Sequence, residues 1–150
     1  MEKICGCYKT ECNNTDIIDM LIVNTEIIVN YMLTKGFSVR HIDCSGTSSS
    51  HDGLVGYMAR YLSINDFLQN CKQDFLKEDK SFPLLYELDF STVIMRMHEK
   101  DNVETYISIT NYSHMQHINV CFNSINIEDL KFAKDVLSSI SEATPFILRN

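Results

Sequence analysis

Three cysteines near the N-terminus, Cys5, Cys7 and Cys12, stand in the pattern C-x-C-x4-C. Thiolates at such close spacing let one short segment supply several ligands to a soft cation such as zinc or copper(I). The paired C-x2-C knuckles and a fourth ligand are missing, so a small metal- or ligand-binding regulatory module is the alternative reading rather than the leading one. Cys44, Cys71 and Cys121 sit singly among apolar neighbours, where reduced cysteine behaves as a small hydrophobe. A cysteine nucleophile needs a base and a group that orients it, which here means Cys44 or another thiol beside His41 or His51. No signature of that kind surrounds them, and His51-Asp52 reads as a polar tip followed by a helix cap. His114 and His117 are three apart but lie between strands, without the glutamate of H-E-x-x-H. The stretch SGTSSSHDG from Ser45 to Gly53 lacks both the lysine and the glycine spacing of a phosphate loop. The sequence thus predicts no catalytic residue and no cofactor.

Carboxylates remain. Between Ser81 and Leu130 there are seven acids (Glu87, Asp89, Glu99, Asp101, Glu104, Glu128, Asp129) against two bases (Arg96, Lys100), a net of −5 out of the chain's −7. Brought together on one face, Glu87, Asp89, Glu99, Asp101 and Glu104 would make an acidic patch able to steer and hold a basic partner. The overall charge argues against direct nucleic-acid binding, which needs clustered Lys and Arg on phosphates.

Whether those acids meet depends on the elements that carry them. Leu84, Tyr86, Leu88 and Phe90 alternate with polar or charged residues and Leu85, the period-two mark of a half-buried strand. The phase then slips to Val93, Met95 and Met97, which predicts a bulge or tight turn near Ser91-Thr92. Val103, Thr105, Ile107 and Ile109 make a third row, Ile118, Val120 and Phe122 a fourth, and Asp101-Asn102 lies at the turn between the second and third. Connections this short allow only antiparallel neighbours. The expected core of the fold is therefore an antiparallel meander of about four strands over residues 84–123, with inward Leu84, Tyr86, Leu88, Val93, Met95, Ile107 and Val120.

Helices are expected on both sides of it in the chain. Thr15 and Asp16 suit a helix start and Gly36 its end. Phe37 to Cys44 reads as a short strand, 45–53 as a surface loop, and Asp52 as the cap of a short helix carrying Leu54, Val55, Met58 and Leu62. A second amphipathic helix starts near Ser63, with Phe67, Leu68, Cys71 and Phe75 on one face. A C-terminal amphipathic helix opens at Asn126, with Glu128 and Asp129 in its first turn, and Ile127, Leu130, Ala133, Leu137 and Ile140 as its apolar face. At 150 residues the chain suits one α+β domain over 1–150, with 1–13 a loosely ordered cysteine-containing segment. Charged and amide residues interrupt every apolar run, so no membrane span is expected, and the absence of a signal-type N-terminus points to the cytoplasm.

A small acidic chain, with helices before an antiparallel meander and one amphipathic helix after it, resembles the immunity proteins of bacterial polymorphic or contact-dependent toxin systems. The resemblance rests on layout and charge. It implies a non-enzymatic interaction protein that binds and neutralises a cognate toxin, a basic nuclease-like domain, and it assigns no residue.

Overall fold

The computed structural model describes residues 1–11, 17–50, 53–76, 90–98, 102–112 and 115–143. The elements in chain order are β1 (Glu2–Glu11), α1 (Ile17–Thr34), β2 (Ser38–Ser50), β3 (Gly53–Tyr61), α2 (Ile64–Leu76), β4 (Phe90–His98), β5 (Glu104–Tyr112), β6 (Met115–Ser124) and α3 (Ala133–Ala143), with a 3-10 turn at Ile127–Leu130 before α3. The six strands form one sheet in the order β1-β6-β5-β4-β2-β3. All five neighbouring pairs are antiparallel.

A meander is present, but the expected sheet of about four strands within 84–123 is too small. Of the six strands only β4, β5 and β6 come from that stretch; β1, β2 and β3 precede it. Residues 84–89, with the first expected row, lie outside the described residues. The slip expected near Ser91-Thr92 is absent from the β4–β5 ladder, whose register runs unbroken from Phe90↔Tyr112 to His98↔Glu104. A bulge falls instead in β2, between Val39 and His41. Arg40 is its extra residue, which explains why the alternation from Phe37 to Ile42 is uneven.

Three further expectations change. The N-terminal cysteine segment is not loose: Glu2–Glu11 is a ten-residue strand at the edge of the sheet. The hydroxyl-rich stretch 45–50 continues β2, and 53–61 is β3 rather than a helix. A run such as GLVGYMARY carries both an apolar alternation and a rough helical spacing. Pairing along the neighbouring β2 edge decides between them.

The rows that do alternate are buried as their period predicts. Val93, Met95, Met97, Ile107, Ile109, Ile118, Val120 and Phe122 are essentially inaccessible. The three described α-helices cover this inner face: α1 lies over β2, β5 and β6, α2 over β2 and β3, and α3 over β1. The buried stripe of α1 is Met20, Leu21, Asn24, Thr25, Ile28, Val29 and Met32, a repeat of three and four residues that keeps one side of the helix on the sheet. Gly36, at φ +89°, ends α1 in the left-handed conformation that glycine adopts without a Cβ penalty. Phe37 then enters the core against Phe122 and Phe132, with ring centroids 6.1 and 5.9 Å away.

The start of α2 matches its sequence signal, whereas the C-terminal helix begins later than expected and leaves Ile127 exposed. The Ser63 hydroxyl accepts from the Asp66 amide at 3.1 Å, and the Asn126 side chain accepts from the Glu128 amide at 3.1 Å. The second start yields the 3-10 turn, and α3 proper begins at Ala133. Asn102 turns the chain between β4 and β5 with φ +84°, a conformation that asparagine tolerates better than most residues. No helix among the described residues is long and apolar enough to cross a membrane.

Candidate functional site

Among the described residues the helices lie on one side of the sheet, and the other, open face carries exposed Lys3, Arg96 and Glu104 around buried Thr92 and Ser108. Strand register sets which side chains share it. One row reads Cys5, Cys121, Tyr106, Arg96, His41 from β1 across to β2, and the next reads Cys7, Asn119, Ser108, Ile94, Asp43, with Arg60 on β3. A third row carries Lys9, His117, Thr110, Thr92, Ser45 and Met58. These residues come from all six strands, so only the completed sheet assembles them.

Two arrangements organise the centre of this face. The Arg96 guanidinium lies over the Tyr106 ring, 4.5 Å from its centroid, a cation–π contact between neighbouring strands. Beside it, Asp43 accepts from Arg60 through both oxygens, Nε to Oδ1 at 2.7 Å and Nη2 to Oδ2 at 3.0 Å. A guanidinium fork fits a carboxylate in this two-point way. His41 Nδ1 is 3.3 Å from Asp43 Oδ2. The hydrogen bonds from Arg60 hold the Asp43 carboxyl below its ordinary value; partial burial opposes this, and the charges of His41, Arg60 and Arg96 reinforce it. Asp43, Ser45, Met58, Arg60 and Ile94 border a shallow depression of about 410 Å³.

The expected site residues fare unevenly. Glu87, Asp89, Glu99 and Asp101 lie outside the described residues. Glu104 is on the open face and accepts from Arg40 Nη1 at 3.0 Å, the bulged arginine reaching across β4 to it. Of the side chains described on this face, Lys3, Lys9, Arg40, Arg60 and Arg96 are basic against Asp43 and Glu104, and both carboxylates are held by arginines. The nucleophile arrangement is divided by the pleat: Cys44 points into the core while His41 is on the open face. His51 and His114 lie outside the described residues. His117 stands opposite Lys9 and Thr110.

The cysteines are redistributed. Cys5 is not available as a ligand beside Cys7, because it is disulfide-bonded to Cys121, its direct partner across the β1–β6 pair. Cys121 is therefore not the lone reduced hydrophobe its sequence context suggests. Cys7 is an exposed thiol, and Cys12 lies outside the described residues. Among the described residues no group of three His, Cys, Asp or Glu side chains is arranged to hold a metal ion.

The Arg96–Tyr106 and Asp43–Arg60 pairs were not foreseen. A signal for the second exists: reading Leu54, Gly56, Met58 and Arg60 as one side of a strand paired with β2 brings Arg60 opposite Asp43.

No family model and no curated protein matches the chain. Among solved structures, it is similar to a conserved hypothetical protein from Pyrococcus furiosus, at 8% identity over 97% of this chain and 95% of that one, with a TM-score of 0.25. A likeness at that level supports neither a fold family nor a function.

Proposed function

We propose that this chain is a non-enzymatic interaction protein that captures a protein partner on the open face of its sheet. The observation that carries this reading is the centre of that face, where arginine and tyrosine are stacked beside an ion-paired aspartate on a six-stranded platform. Arginine and tyrosine are enriched where binding energy concentrates, tyrosine through a large ring with few rotors and arginine through a planar guanidinium with several donors. The separation of Cys44 from His41 by the sheet plane supports the non-enzymatic side of the reading.

The charge of the described part of the face favours a partner segment that presents carboxylates to Arg96, Lys3 and Lys9. The toxin-neutralising form of the reading, with a basic domain as partner, depends on Glu87, Asp89, Glu99 and Asp101 in addition to Glu104. A photo-crosslinking residue placed at Thr110, on the open face, and another at Ser138, exposed on α3, test the reading. In cells that produce the protein, a discrete crosslinked species is expected from position 110 and is lost on Arg96→Glu. Crosslinks from position 138 alone, or a species from 110 indifferent to Arg96→Glu, would place binding elsewhere. A partner whose crosslinked peptide is basic, with capture abolished by Glu104→Lys, would favour the toxin-neutralising form.

A further inference from the structure

The exposed cysteines of β1 share one side of an edge strand with two lysines: Lys3, Cys5, Cys7 and Lys9 all face away from the helices. Among the described residues β1 pairs with β6 alone, and the exposure of Cys5 leaves the Cys5–Cys121 bond within reach of a reagent from solution. Cys5 is exposed, whereas Cys121 is half-buried. Exposed disulfides are the labile and regulatory ones, because exchange requires an attacking thiolate to reach a sulfur.

The inner side of the same strand carries α3. Gly6 leaves room for Leu137: a Cβ on it would come within 2.9 Å of Leu137 Cδ2. The Tyr8 hydroxyl donates to the Leu137 carbonyl oxygen at 2.8 Å. These two contacts also fix the register. A slide of two residues that brought Cys7 opposite Cys121 would carry Tyr8 to the place of Gly6, beneath Leu137. Cys121 therefore keeps Cys5 as its direct cross-strand partner, and a released Cys121 thiol closes on the same sulfur.

We propose that the Cys5–Cys121 bond is a thiol-exchange site, opened by an anionic low-molecular-weight thiol drawn to Lys3 and Lys9, and that its opening loosens β1 and the α3 helix packed on it. The thiol loses its proton, and its thiolate attacks Cys5 Sγ. The Cys5–Cys121 bond breaks as the mixed disulfide forms, and Cys121 leaves as a thiolate that takes up a proton. A second thiolate attacks the reagent's own sulfur in the mixed disulfide and releases Cys5 as a thiol. Two external thiols are oxidised to one disulfide while the protein disulfide is reduced to two thiols. The lysines favour an anionic reactant by local attraction that salt screens.

The test uses the whole chain, oxidised in glutathione disulfide and then exposed to reduced glutathione or to uncharged 2-mercaptoethanol at equal thiolate concentration. Alkylation and peptide mass mapping follow each cysteine, while hydrogen exchange follows β1, α3 and, as an internal reference, β4. Cys5 and Cys121 are expected to become alkylable together, several-fold faster with glutathione. That preference should collapse in high salt and in the Lys3→Gln/Lys9→Gln variant. Amides of β1 and α3 should exchange at least about tenfold faster in the reduced chain, with β4 unchanged. Cys5 and Cys121 alkylable in the oxidised chain, equal β1 exchange in both states, or no preference for glutathione would each overturn the proposal.

Discussion

Replacing Gln116 by leucine should destabilise the chain more than replacing Gln116 and Asn24 together. Asn24 and Gln116 are fully buried between α1 and the inner face of the sheet. Asn24 Nδ2 donates to Gln116 Oε1 at 2.7 Å, and Gln116 Nε2 donates to Asn111 Oδ1 at 2.8 Å. Asn24 Oδ1 is buried without a hydrogen-bond partner among the described residues. Gln116→Leu removes both bonds, each worth about 1 kcal/mol net, and strands the Asn24 amide at a further ~1–3 kcal/mol. Apolar burial by the leucine offsets part of this, so a loss of about 2–4 kcal/mol is expected. Asn24→Leu strands Gln116 Oε1 but also removes the partnerless Asn24 oxygen, which leaves a net cost of roughly 0–2 kcal/mol. In the double variant neither position holds a stranded group, and Asn111 loses the same bond as in Gln116→Leu, so it cancels from that comparison. A coupling of about 1–3 kcal/mol in favour of the double variant follows. Urea unfolding read by circular dichroism would show it as a midpoint roughly 0.5–1.5 M above the value expected from the two single variants. Additive single effects, or a double variant less stable than Gln116→Leu, would refute the argument that these amides act as one buried unit.

On β1, Gly6→Val puts a branched side chain against both Leu137 methyls and the Tyr8 hydroxyl; a loss of about 1–3 kcal/mol is expected from overpacking, with α3 amides exchanging faster than those of β4. The Asp43 carboxyl is held below its ordinary value of 3.8 by Arg60. Its contribution to stability is therefore complete above that value and is lost as pH falls through the lower folded value. Asp43→Asn should flatten the acid side of the stability profile below about pH 4 while leaving pH 7 to 8 unchanged in slope, a difference that urea titrations at each pH would detect. Arg40 and Glu104 are each more than half exposed, so Glu104→Gln should cost no more than about 1 kcal/mol in the same assay. A larger loss would mean that the bulge at Arg40 depends on the pair.

The rows of β4, β5 and β6 were legible because every second residue from Val93 to Met97, Val103 to Ile109 and Ile118 to Phe122 meets the same buried face. Period two survives wherever one side of a strand is covered and the other wet. Helix α1 was legible from its apolar spacing and Gly36. The strands β1 and β3 were not, because the glycine, the two cysteines and the charged residues of EKICGCYKTE carry little strand signal, and GLVGYMARY fits two periods. Their pairing depends on β6 and β2, distant or neighbouring partners that local pattern does not name.

The amino-acid sequence by itself determined the antiparallel run of β4, β5 and β6, the inward rows of those three strands and the start of α2 at Ser63, all of which rest on contacts within a few residues or on a simple period. Tertiary structure alone decided that Cys5 meets Cys121 across 116 residues, that Arg60 meets Asp43 and that Arg96 lies on Tyr106. Those outcomes depend on strand order and register, and register is a property of two strands together: one residue of slip sends every side chain to the other face.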